Sequence, residues 1–479
     1  MADELAWADA SALAALVRNG DVSPVELVDA AIARIEKLDP QLNAVIHPRF
    51  DQARDEARKP LPDGPFRGVP FLVKDALCAT AGDPYHAGTR FLKDADWHAT
   101  DDTELAARYR RAGFVTVGRT NAPEFATSAT TEPLAYGATH NPWDLDRSPG
   151  GSSGGSGAAV AAGFTPLAHG NDMGGSIRNP AGWCGLVGLK PSRGRTTLGP
   201  AHGEYWATLT HEHVLTRSVR DSAAVLDAVS GPALGDPYTA PAPARAFSDE
   251  VGARVGRLRI AFRTHRPDTG AESHPEVVQA VNDTAQLLSE LGHQVDAEPL
   301  PGLDGWDGLV SMGGVIGAWV AHEIDQWGER LGRSIDLDEL EPSTAAMVER
   351  SRAMTAVEYV RTIELMNTYA RRAAAWSERL DLLVLPTAPF PAPPLGVLGP
   401  LVTDDHPEYE RRGPALFTLP FDITGEPAVS LPLHWTPDGL PVGVQLVAPY
   451  GREDVLFRVA AQLEQAHPWA DRHPTIANW

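Results

Sequence analysis

Two serines, one lysine and a dense set of glycines are the residues of this chain whose types and order could do covalent chemistry. Gly150-Gly151-Ser152-Ser153-Gly154-Gly155-Ser156-Gly157 is followed, after a run of small residues, by Asn171-Asp172-Met173-Gly174-Gly175-Ser176-Ile177-Arg178. A Gly/Ser run by itself reads as a flexible loop or linker. A linker has no use for an aspartate, an arginine and a Gly-Gly-Ser in fixed order, so the two runs together read as a site. A serine hydroxyl attacks a carbonyl only after a base takes its proton. With no histidine in either run, lysine can be that base if burial lowers its pKa toward neutrality. Lys74 follows the apolar run Val69-Pro70-Phe71-Leu72-Val73, a buried strand able to supply the desolvation; the plainer alternative leaves its ammonium in water. Gly174 and Gly175 would let the backbone N–H groups of Met173 to Ser176 close on a substrate oxygen as an oxyanion hole. Asp172 and Arg178 flank that turn and can pair to hold it, the alternative being two solvated charges.

The elements around these residues alternate. Ser23-Pro24-Val25-Glu26 forms a capping box, and Leu27, Val28, Ala31, Ile32, Ile35 and Leu38 continue at helical spacing. A helix is expected from Asp101-Asp102 through Arg111, stopped by Gly113, and then a strand at Val115-Thr116-Val117. This β-α-β order predicts an α/β fold. Later, Leu258, Ile260 and Phe262 alternate as a strand, and His274-Pro275 to Leu291-Gly292 reads as a capped helix. Residues 300–380 read as mostly helical, with Trp306 and Trp319 among them. Leu382 to Pro386 and Val442 to Val447 read as strands, and Glu453 to Gln465 as a closing amphipathic helix. The Pro/Ala-rich stretch 231–256 reads as a connection. The expected organisation is a single domain over 1–479. It comprises N-terminal helices (1–65), a catalytic core (66–230), a helical pocket insertion (300–380) and a returning C-terminal part of the core (381–479).

The chain has 479 residues, 43% apolar and 22% charged, with 41 Lys+Arg against 63 Asp+Glu and a formal charge of −22. Such a balance repels a nucleic-acid backbone. The stretches around Gly157 to Ala168 and Leu309 to Ala321 fall short of the roughly 20 apolar residues that span a bilayer. Two cysteines, Cys78 and Cys184, and an opening Met1-Ala2-Asp3-Glu4 without a basic or apolar leader point to a reducing, cytoplasmic setting.

Gly68 to Asp75, Gly151 to Ser156, and Asp172 to Arg178 continuing through Cys184-Gly185-Leu186-Val187-Gly188-Leu189-Lys190-Pro191-Ser192 resemble the amidase signature family. The likeness extends to Thr120-Asn121-Ala122-Pro123-Glu124-Phe125, Arg217 to Asp221, Leu385-Pro386-Thr387 and Gly439 to Gln445, and so covers nearly the whole chain. The resemblance implies a mixed β-sheet between helix layers. It implies a Ser–cisSer–Lys triad: Ser176 as nucleophile, Ser152 with a cis peptide bond as relay, and Lys74 as base and acid, with Ser153, Asp172 and Arg178 in support. It implies an acyl-enzyme hydrolysed by water, needing no metal or cofactor, with a small amide or carbamate as substrate. Thr120 to Trp143 and Ala168 to Asp172 are most similar to bacterial members that open cyclic amide dimers. In such proteins positions near Thr127 and the helices around Ile316 to Trp319 would line the pocket, and Phe125, Tyr136, Gly150, Gly151 and Trp206 are further expected substrate contacts. The chain departs from the commoner pattern at Asn171, where many members have Thr, and at Leu198 to His213.

Three rival readings are weaker. Gly150-Gly151-Ser152-Ser153-Gly154 fits G-x-S-x-G with Ser152 as nucleophile, but that motif needs a strand directly before it, and Asn141 to Pro149 reads as turns. His202, His211, Glu212 and His213 could offer metal ligands, although no third ligand stands at sensible spacing and a polar surface loop is the default. The family also includes the amidase subunit of tRNA-dependent amidotransferases, which the acidic balance disfavours. The sequence leaves open whether the chain forms a homodimer.

Overall fold

Among the described residues eleven strands join into one sheet: β1 (Val45–Pro48), β2 (Pro70–Lys74), β3 (Val115–Thr120), β4 (Leu167–Asp172), β5 (Val187–Lys190), β6 (His211–Thr216), β7 (Arg259–Phe262), β8 (Gln294–Ala297), β9 (Leu382–Pro386), β10 (Ala428–Trp435) and β11 (Pro441–Val447). Their order across the sheet is β1-β3-β2-β4-β6-β5-β10-β11-β9-β7-β8. The centre, from β4 through β6, β5, β10 and β11 to β9, is antiparallel. Parallel pairs flank it, β3-β2-β4 on one side and β9-β7-β8 on the other. The computed structural model describes residues 5–305, 312–401 and 413–479.

The two-residue period of a strand decides which layer each side chain enters. Phe71 and Val73 pack with Tyr109, Phe114, Val225 and Val229 in one layer. Leu72 packs with Val115, Val117 and Ala158 to Ala162 in the other. Lys74, in phase with Leu72, therefore leaves the sheet toward the layer that holds the helices Gly154–Ala161 and Arg178–Cys184. That is how an apolar strand delivers a lysine to two serine-bearing loops.

The helix Pro24–Leu42 starts on the expected capping box, Ser23 accepting from the Glu26 N–H while the Glu26 carboxylate reaches back. Helices Glu104–Arg111, Pro275–Glu290 and Glu453–Ala466 also lie where their periodicity puts them. Helices Met312–Leu331, Pro342–Arg352 and Ala356–Ala374 fill the later half as anticipated, while Trp306 lies outside the described residues. Among the described residues no helix is long and apolar enough to cross a membrane.

One expectation is overturned. His211, Glu212 and His213 are not in a polar surface loop: they form buried β6, paired antiparallel to β4. His169 Nε2 on β4 meets Glu212 Oε2 at 2.5 Å, so polar residues here satisfy one another inside the sheet. Among the described residues no three His, Cys, Asp or Glu side chains converge as a metal site.

Candidate active site

Lys74, at the end of β2, is fully buried. Its Nζ lies 2.6 Å from Ser152 Oγ and 2.5 Å from Asn171 Oδ1. Burial lowers its ammonium to about 7, against the opposing pull of the Glu212 and Asp172 carboxylates. The chain just after it is pinned by buried Arg119 of β3, which donates to the Lys74 and Cys78 carbonyls and to Asp75 and Thr80. The water-exposed alternative for this lysine does not hold.

Ser152 and Ser153 are fully buried, and the Gly151–Ser152 peptide is cis. The glycine-rich run is core, not linker. No strand precedes it, since residues 142–149 form turns and irregular chain, and this removes the basis for a strand-borne G-x-S-x-G nucleophile. Thr131, a residue not singled out by its sequence neighbours, grips the turn: its hydroxyl donates to the Gly150 carbonyl at 2.9 Å and accepts the Gly154 N–H at 3.1 Å. Gly151 packs so closely that a Cβ would sit 2.5 Å from the Thr130 nitrogen. The Ser153 N–H donates to the Ser176 carbonyl at 3.3 Å, joining the two serine loops.

Ser176 is half-buried, and among the described residues its hydroxyl has no hydrogen-bond partner. Asp172 organises the turn that carries it. One carboxylate oxygen accepts the Gly175 N–H at 2.6 Å and the other accepts those of Ile177 and Arg178 at 3.1 and 3.2 Å. Thr418 Oγ1 donates to the Gly174 carbonyl at 2.6 Å, so both ends of the Gly174–Gly175 peptide are held. Gly175 thereby departs from the expected oxyanion set, its N–H being taken by Asp172. The N–H groups of Met173, Gly174 and Ser176 have no partner among the described residues, and Gly174 and Ser176 are half-buried where Gly175 is buried.

Asp172 and Arg178 pair as expected, with Nε and Nη2 of Arg178 on the two carboxylate oxygens at 2.9 and 2.8 Å. The remaining partners of Arg178 come from far along the chain: Asp422 Oδ2 at 2.6 Å, and the Thr418 carbonyl and Gln445 Oε1 at 2.8 Å each. Burial pushes the Asp172 carboxyl up, but the Arg178 guanidinium overrides it and holds the group far below the usual range. Burial, reinforced by Asp172, drives Asp422 well above its ordinary value despite the same guanidinium.

Beside this turn lies an apolar cluster in which Met173 meets Phe125, Trp206, Leu416, Phe417 and Leu419, with Ile316 and Trp319 packed against it. Phe125, Trp206, Ile316 and Trp319 thus belong to one apolar cluster. Trp206, Ala207 and Thr208 hold it in three consecutive left-handed conformations, φ 52, 53 and 70, uncommon for residues with a Cβ. Trp319 also lines an open cavity of about 470 Å³ with Tyr205, His202 and Glu323. Thr127 stands at the edge, its hydroxyl bonded to the Glu124 carbonyl. Tyr136 does not join the cluster: its hydroxyl pairs with His86 Nδ1 and Lys93 sits 4.4 Å over its ring. Gly150 packs against Pro180, and its part is to let the serine turn approach that helix.

The amidase family profile matches residues 26–457. A 6-aminohexanoate-cyclic-dimer hydrolase of Pseudomonas sp. (strain NK87) is 42% identical over 98% of this chain and 97% of its own length. The solved structure of a 6-aminohexanoate cyclic dimer hydrolase complexed with substrate superposes with a TM-score of 0.95 at 42% identity, covering 99% of this chain and 100% of that one. A bacterial aryl acylamidase of the amidase signature family superposes with a TM-score of 0.90 at 25% identity, over 98% of each chain. Matched end to end in sequence and in fold, the chain belongs to the amidase signature family and is an amide hydrolase.

Proposed function

We propose that this enzyme cleaves the C–N bond of small neutral amides, cyclic ones included, through an acyl-enzyme on Ser176, with Ser152 as relay and Lys74 as base and acid. The observation that carries the reading is the buried Lys74 amine, lowered to about 7 and 2.6 Å from Ser152 Oγ. Neutral Lys74 takes the Ser152 proton as Ser152 takes that of Ser176, and the Ser176 oxygen bonds to the acyl carbon. Negative charge then develops on the carbonyl oxygen, for which the unpartnered N–H groups of Met173, Gly174 and Ser176 are donors. The proton returns by the same path to the leaving nitrogen, the C–N bond breaks, and water repeats the sequence on the ester to release the acid.

The 42% identity to a cyclic-dimer hydrolase favours a cyclic amide of ω-amino acids as first substrate, and the apolar cluster of Phe125, Trp206, Ile316 and Trp319 favours a hydrocarbon chain between the polar ends. The test is a panel of 6-aminohexanoate cyclic dimer, acyl p-nitroanilides and carbamates, together with a fluorophosphonate probe. Turnover of an amide, with the phosphonyl adduct on Ser176 and none in Ser176→Ala, is the expected result. An adduct on Ser152, or amide turnover surviving in Ser176→Ala, overturns it.

A further inference from the structure

Lys74 has a second partner that the triad does not include. Asn171 lies on β4, fully buried, with Oδ1 2.5 Å from Lys74 Nζ. Its Nδ2 donates to the Ala76 carbonyl at 3.2 Å. An amide has a pure acceptor end and a pure donor end. Turned over, this one would set a donor against an amine and an acceptor against a carbonyl, so the Ala76 bond fixes which end faces the lysine. The Asn171 backbone is fixed too: its carbonyl accepts from Ser153 Oγ at 3.3 Å, and its register partner on β6 is Glu212.

We propose that Asn171 is a positioning residue for the general base: its fixed amide oxygen always takes one N–H of Lys74, turning the amine's lone pair toward the Ser152 hydroxyl. The inference rests on the triad read above. A neutral amine has two N–H bonds and one lone pair. With one N–H held by an oxygen that can only accept, the lone pair of the neutral amine is left to face Ser152 Oγ, 2.6 Å from Nζ, and to receive its proton. In the transfer the Ser152 O–H bond breaks and a third N–H forms. Asn171 Oδ1 remains hydrogen-bonded to the resulting ammonium, which it favours over the amine. A side chain that cannot accept, or one that carries charge, therefore alters both the direction and the ease of proton movement.

The charged groups around Lys74 are Glu212 of β6, bonded to His169 of β4, Asp172 at the end of β4, and Asp75 with Arg119 of β3 on its backbone side. None of these is changed by substituting Asn171. The experiment compares pH profiles of kcat and kcat/KM on an acyl p-nitroanilide for wild type, Asn171→Ala, Asn171→Asp and Lys74→Ala, with thermal unfolding as a check on folding. Loss of the acceptor in Asn171→Ala is expected to lower kcat by about 10²-fold, within the range of a misdirected general base, with KM within about twofold. Its ascending limb moves to lower pH. Asn171→Asp, of the same shape, places a carboxylate on the ammonium and moves the limb to higher pH by about 1–3 units. If the alanine variant does not fold, the direction of the aspartate shift decides. Limbs that superpose on wild type in the folded variants overturn the positioning role while leaving the triad intact. Full activity in Lys74→Ala overturns the triad itself.

Discussion

Lys74 and Lys190 each end a strand of the same sheet, β2 and β5, and each is fully buried. Burial lowers both to about 7. Their surroundings part ways there. Lys74 faces a hydroxyl and an amide oxygen, and the hydroxyl belongs to a loop joined to half-buried Ser176. Lys190 donates to the Pro191 carbonyl at 3.0 Å, and its charged neighbours are Asp422, Arg178, Asp172 and Arg193. A carbonyl oxygen has no proton to give. Desolvation makes a lysine available as a base, but only a proton donor connected to an accessible atom makes it do chemistry.

The comparison breaks most plainly by mutation. Lys74→Ala is expected to lower kcat/KM at neutral pH by about 10³–10⁴-fold, while Lys190→Met stays within about tenfold of wild type in p-nitroanilide assays. Equal losses would erase the distinction. Arg178→Met probes the network both lysines border. It leaves Asp172 and Asp422 buried without their cation and should cost about 3–5 kcal/mol of stability by urea denaturation.

The pH profile sharpens the contrast without any change to the fold. If Lys74 is the base, as proposed, its active form is the neutral amine, so kcat/KM should rise with pH, falling about tenfold per unit below an apparent pKa near 7, where protonation removes the base. Lys190→Met should leave that limb in place although it deletes a group that titrates in the same range. A modest effect is expected of Thr418→Val, which releases the Gly174 carbonyl: kcat falls about tenfold with KM little changed, worth about 1.4 kcal/mol, as for one hydrogen bond to the Ser176 turn.

The burial of Lys74 and the turns that carry Ser152 and Ser176 were legible because their neighbours in sequence carry the meaning: an apolar run before the lysine, glycines around the serines, Asp172 and Arg178 spaced to bracket a turn. Strands β2 and β3 and the helix Pro24–Leu42 were legible for the same local reason. β4 and β6 were not, since Leu-Ala-His-Gly-Asn-Asp and His-Glu-His-Val-Leu-Thr carry polar side chains that find partners only across the sheet, as His169 does with Glu212. Thr131, Thr418 and Asp422 were equally silent. Each acts on a segment distant in sequence, and nothing within a dozen residues of Thr418 announces Gly174. Tyr136 shows a different limit: its hydroxyl pairs with His86, a contact its sequence neighbours do not announce. The direction an aromatic ring faces is not written in its identity.

The grip of Thr418, Asp422 and Gln445 on Arg178, which braces the Ser176 turn through Asp172, spans 240 to 267 positions of chain. A nascent polypeptide that has left the ribosome only as far as β9 already holds Lys74, Ser152, Ser176 and Asp172, yet lacks Thr418, which holds the Gly174 carbonyl, and the distant partners of Arg178. On the proposed triad, competence therefore arrives near the end of translation, and a message truncated after β9 is expected to yield a chain that carries Lys74, Ser152 and Ser176 but does not turn over an amide.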